Sequence, residues 1–137
     1  MRTHTRLLLV VAALAATLLA TAATAATPVK INNCIKAVSR PSRMTLACGD
    51  GNTALTGLKW TSFGGSTAKG RGTLATDTCE PNCAEGKTVR YAVTVKATNP
   101  RTCKKGLRVY NKLTLRFTGA KPTYANTIKN WTPGCPT

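Results

Sequence analysis

The sequence predicts an all-β fold: a small disulfide-stabilised β-sandwich or barrel-like domain that follows an N-terminal signal peptide. Three observations predict it. Residues 87–97 and 107–117 alternate apolar and polar side chains with the two-residue repeat of a strand. Clusters of Gly, Asp, Asn and Pro punctuate the rest of the chain at short intervals, as in a fold of about six short strands joined by turns. After residue 26 there is no helical period and no internal repeat, so helix is expected only in the leader.

Residues 1–26 read as a secretory signal peptide. Arg2 and Arg6 form a positive start, 7–19 is an apolar run too short to span a membrane comfortably, and Ala23-Thr24-Ala25 fits the small-residue cleavage pattern. Residues 27–137 are then a single secreted domain, extracellular and without stable membrane insertion once the leader is gone. Roughly 110 residues can bury one modest core, and its large apolar groups are few: Trp60, Trp131, Phe63 and Phe117 with scattered Leu, Val and Ile. Covalent ties fit such a core. Cys34, Cys48, Cys79, Cys83, Cys103 and Cys135 all follow the leader, and six cysteines in an exported chain read as three disulfides. Spacing does not choose among about 15 pairings. Proximity suggests that Cys48, at the end of a core strand, bonds to Cys79 or Cys83; a Cys79–Cys83 bond is the competitor. No C-x-x-C pair and no histidine ligand stand in the mature part, so neither a zinc site nor a cofactor is expected.

Taken in order, 27–41 is an extended lead-in fastened by Cys34. Residues 44–48 form a short strand with Met44, Leu46 and Cys48 on one face. Gly49-Asp50-Gly51-Asn52 is a turn; it resembles the opening of a calcium loop, but the later ligands and the closing glutamate are missing. In the strand 54–63, Leu58 and Trp60 point one way, Lys59 and Thr61 the other, and Trp60 is read as core. The glycine-rich strand 67–76 has little side-chain bulk and is suited to lie against another surface or to bend. The stretch Cys79-Glu80-Pro81-Asn82-Cys83-Ala84-Glu85-Gly86 is the tie-point of the domain. In 87–97, Val89, Tyr91, Val93, Val95 and Ala97 share a face, with Arg90 and Lys96 opposite. In 107–117, Leu107, Val109, Leu113, Leu115 and Phe117 share a face, with Arg108, Tyr110, Lys112 and Arg116 opposite; Asn111 breaks the alternation and marks a bulge or strand break. The link 99–106 is a basic loop. In the tail 119–137, Ile128 and Trp131 dock and Cys135 fixes the end. Asn130-Trp131-Thr132 is a glycosylation sequon that matters only in a eukaryote.

Composition narrows the chemistry. The only histidine, His4, leaves with the leader, which removes the imidazole that serine–histidine and cysteine–histidine schemes require. A two-carboxylate mechanism would have to draw on Asp50, Asp77, Glu80 and Glu85, which are read instead as turn caps, so an enzyme is not expected. The chain has 20 lysines and arginines against 4 acidic residues, a formal charge of +16, and the leader accounts for only two of the cations. Such a balance attracts polyanions. If 87–97 and 107–117 pair as a hairpin, Arg90, Lys96, Arg108, Tyr110, Lys112 and Arg116 combine on one outward face. That face is the candidate site for an anionic cell-wall polymer, a polysaccharide or nucleic acid. The alternative partner is a protein, with the disulfide-held loop around Cys79 and Cys83 presented as an inhibitor or antagonist.

The series Leu46-Ala47-Cys48-Gly49-Asp50-Gly51-Asn52, Leu58-Lys59-Trp60-Thr61-Ser62-Phe63-Gly64, Gly70-Arg71-Gly72-Thr73 and 79–86 resembles small secreted proteins of actinobacteria. There a Cys-Gly-Asp-Gly-Asn-like turn, a Trp strand and a Cys-x-Pro-x-Cys-Ala-x-Gly element follow in the same order. The likeness covers residues 41–117. It implies export and a compact β fold and carries no activity. Cys34, Cys103 and Cys135 stand outside the shared pattern.

Overall fold

The computed structural model describes residues 26–137; the expected signal peptide, but for Ala26, lies outside the described residues. A small hairpin comes first, β1 (Ile31–Asn33) and β2 (Lys36–Val38). There follow β3 (Met44–Thr45), β4 (Thr53–Ser62), β5 (Ala68–Asp77), β6 (Thr88–Thr102), β7 (Arg108–Phe117) and β8 (Asn130–Trp131). A single 3-10 turn (Lys104–Gly106) and a one-turn helix, α1 (Ala125–Ile128), complete the elements. Strands β3 to β8 form one six-stranded antiparallel sheet in strict chain order. The sheet curls into a half-barrel, so the all-β expectation holds in its barrel-like form.

Residues paired directly across strands share a face, so the register assigns the two sides. Ala68, Leu74, Val93, Val95, Ala97, Leu113 and Leu115 fall on the inner side and are buried. Full burial of a side chain such as Leu55, Leu74 or Leu113 contributes about 1.5–3 kcal/mol. The glycines of β5 belong to this packing. Gly70 and Gly72 pair with Val95 and Val93 on the inner side, where Trp60 and Leu58 of β4 lie across them. A Cβ at Gly70 would stand 3.0 Å from the Trp60 ring, and one at Gly72 2.9 Å from Leu58. Bulky side chains on β4 therefore need bare backbone on β5. Trp60 is anchored as well, its indole N–H donating to the Pro41 carbonyl at 2.9 Å.

The lead-in is folded, which the sequence reading had as merely extended. Cys34 takes a left-handed backbone, φ 63°, and turns β1 back into β2. This hairpin lies across the open side of the curled sheet. Lys30 bonds to the outer edge of β7 through Arg108 O and Tyr110 N, and Asn33 Oδ1 accepts the Thr45 amide of β3. Val29 and Ile31 are thereby buried in the core.

The disulfides are Cys34–Cys48, Cys79–Cys83 and Cys103–Cys135. All six cysteines are paired, as expected, but the expected bond from Cys48 to Cys79 or Cys83 is not made. The hairpin carries Cys34 to Cys48, and the loop around Cys79 closes on itself. Three further boundaries differ. Strand β6 runs on to Thr102, through residues read as loop, because the chain turns only at Cys103–Leu107. A short helix does occur outside the leader, in the tail before β8. The bulge or strand break expected at Asn111 is not made: β7 runs unbroken through it and the register is the same on either side, Thr98↔Lys112 and Pro100↔Tyr110, with only the pair at Asn99, whose φ is 55°, left out.

Candidate functional site on the outer face

The outer side of β4–β7 carries the polar half of each alternating strand. Reading the register across it, Lys59 lies opposite Arg71, Arg71 opposite Thr94, and Thr94 opposite Arg116. In the next row, Ser62 lies opposite Lys69, Lys69 opposite Lys96, Lys96 opposite Thr114, and Thr114 opposite Asn130. The two rows border a groove of about 430 Å³. Lys69, Arg71, Lys96 and Arg116 line it with the hydroxyls of Thr61, Thr94 and Thr114, over the backbone of Gly70 and Val95. The four cationic side chains are exposed. Thr61 donates to the Lys69 carbonyl at 3.1 Å and the Lys69 amide to Ser62 Oγ at 3.1 Å, which holds the β4 rim against β5 through the bulges at Thr56/Lys59 and Trp60/Ser62.

Two of these cross-strand pairs, Lys59↔Arg71 and Lys69↔Lys96, set like charges directly opposite each other. Such pairs destabilise a sheet, and local rules are most often broken at functional sites. No carboxylate lines the groove to neutralise it. Among the described residues the acidic groups gather at one end of the sheet, in the loop before β4, at the last residue of β5 and in the loop that follows it. Asp50 binds the Asn52 amide at 3.0 Å, Asp77 the Cys79 amide at 2.7 Å, and Glu85 the Asn82 side chain at 3.1 Å. Each completes a turn, as read from the sequence, and the Asp50 carboxylate is engaged in its own turn. Six residues of strand, roughly 20 Å at about 3.4 Å per residue, separate Asp77 from Arg71. That exceeds the screening length of about 8–10 Å at physiological salt, so the groove keeps its positive potential.

The sequence-derived candidates distribute unevenly. Lys96 and Arg116 lie in the groove, and Lys112 is exposed one row beyond, opposite Thr98. Arg90 is on the same side of β6 but opposite Ala75, in a separate hollow beside Asp77 and Arg43. Arg108 lies at the start of β7, opposite Thr102, its guanidinium 3.4 Å from the Thr27 carbonyl. Tyr110 is buried, a correction to its expected outward place. Near the start of β7 burial no longer alternates: Val109 and Tyr110 are both at 0% exposure, and Phe63 packs edge-on against the Tyr110 ring. The Tyr110 hydroxyl accepts the Gly64 amide and donates to the Gly65 carbonyl, both at 2.9 Å. Burial raises its pKa above the ordinary 10.0, with the Gly64 bond and the Arg108 charge opposing.

Lys59, Lys69, Arg71 and the threonines were missed. Their signal was present: Lys59 and Thr61 alternate with inward Leu58 and Trp60, and Lys69 and Arg71 flank Gly70 with the strand repeat. Comparison with protein-family models, with curated proteins and with solved structures found nothing that matches this chain. Among the described residues no helix is long and apolar enough to cross a membrane.

Proposed function

We propose that the protein is an exported, non-enzymatic module that binds an anionic polymer or surface outside the cell through the outer face of β4–β7. The observation that carries this reading is the pair of like-charged cross-strand contacts, Lys59↔Arg71 and Lys69↔Lys96, bordering a groove without carboxylates. A bound polyanion relieves the repulsion that the free fold must bear. Guanidinium forks and ammonium groups then pair with its charges, and release of counterions contributes affinity. Three disulfides in a chain this small support export into an oxidising compartment.

A salt titration tests it. Binding to heparin-like and nucleic-acid polymers is expected at near-physiological salt, with log K falling against log salt at a slope of about −3 to −4, as roughly five cations at about 0.7 each imply. Absence of binding at that salt would remove the groove as a site. The alternative of a protein antagonist keeps one supporting observation. The exposed Cys79–Cys83 loop is closed by its own disulfide, and Asn82 Oδ1 accepts the amides of Ala84 and Glu85 at 3.0 Å each. One protein partner held at one-to-one stoichiometry through high salt would favour that reading.

A further inference from the structure

Resting on the reading above, we infer that the groove takes a linear phosphodiester polymer recognised through its backbone alone, with no base or ring stacked on the protein. The aromatic residues are on the wrong side for stacking. Trp60 lies over Gly70 on the inner side, and Tyr91 and Phe117 pair with Leu74 and Val93 there and meet edge-on. Trp131 pairs with Leu113 and packs on the core, and Phe63 and Tyr110 pack together beneath the β4–β5 turn. The remaining aromatic, Tyr124, lines a separate hollow beside Asp77 and Glu80 at the acidic end. Proteins that hold single-stranded nucleic acid by its bases place aromatic platforms along the groove. This groove has a floor of peptide backbone and threonine instead.

The cations suit a repeating tetrahedral oxyanion. Lys69 and Arg71 point out from β5 about 6.8 Å apart, comparable to one extended phosphodiester repeat. Lys96 stands one strand spacing from Lys69, about 4.8 Å, and Arg116 two spacings from Arg71, about 10 Å. Charges therefore reach the hollow from three strands. A phosphodiester accepts hydrogen bonds in more than one plane, whereas a carboxylate accepts chiefly in its own plane.

The test is fluorescence anisotropy of the mature protein with three labelled probes: an oligothymidylate, an abasic deoxyribose-phosphate oligomer of the same length, and a poly-glutamate of matched charge. The expected result is equal affinity for the first two, within about twofold, and binding to poly-glutamate weaker by about tenfold or more. A base that stacked on protein would make the abasic oligomer weaker by about tenfold or more. That outcome, or poly-glutamate binding as tightly as the abasic oligomer, overturns the inference and leaves the polyanion site standing. Failure to bind any probe overturns the inference, and the polyanion reading falls with it when a heparin-like polymer, run alongside, also fails to bind.

Discussion

Trp60 packs across the backbone of Gly70, so close that a Cβ there would stand 3.0 Å from the ring and 2.8 Å from the Lys59 carbonyl. The same β4–β5 contact that builds the core also turns Lys59, Lys69 and Arg71 outward. Gly70→Ala is therefore expected to destabilise the fold by about 1–3 kcal/mol through overpacking against backbone. Gly65→Ala, where nothing lies within 4 Å of the added carbon, should stay within about 0.5 kcal/mol. Thermal melts of the two variants, side by side, decide it.

Tyr110→Phe removes one hydroxyl with two partners and leaves the Gly64 amide without an acceptor. A loss of about 1–3 kcal/mol is expected, with no change in polyanion affinity. A fall in affinity at unchanged salt slope would return Tyr110 to the site.

The same tyrosine makes stability depend on alkaline pH. Its folded pKa is raised above 10.0 by burial, so the native state holds the proton more tightly than the unfolded chain. That contribution is complete below pH 10.0 and is lost as the pH rises through the folded value. Spectrophotometric titration should show a phenol ionising above pH 10.0 that is missing from Tyr110→Phe.

Non-reducing peptide mapping should return Cys34–Cys48, Cys79–Cys83 and Cys103–Cys135; a peptide joining Cys48 to Cys79 or Cys83 contradicts the fold. The loops closed span separations of 14, 4 and 32 residues. Chain entropy then ranks the cost of replacing each pair by serine: about 3.7 kcal/mol for Cys103–Cys135, about 3.0 for Cys34–Cys48 and about 1.9 for Cys79–Cys83.

The two-residue repeat made β6 and β7 legible because each lies on a core with one face and faces solvent with the other, from Val89 to Ala97 and from Leu113 to Phe117. It failed at Tyr110, which keeps its register opposite Pro100 but is covered by Phe63 and the β4–β5 turn. The pairing of Cys34 was hidden for a different reason. It depends on a hairpin of two three-residue strands, too short for any period to register, laid across the sheet by contacts from Lys30 and Asn33. The groove was half visible. Lys96 and Arg116 followed from alternation, but only the register of β4 on β5 shows Lys59 opposite Arg71, and register is set by bulges that the sequence does not announce.

The claim that a particular face, and not net charge, binds the polymer is tested most directly by two charge reversals of equal size. Arg71→Glu with Arg116→Glu alters the groove; Arg101→Glu with Lys104→Glu alters exposed cations at the far β6–β7 turn. Affinity for a heparin-like or nucleic-acid polymer, measured at one salt concentration near physiological, should fall about tenfold or more further for the groove pair than for the turn pair. Equal losses in the two variants would contradict a localised site.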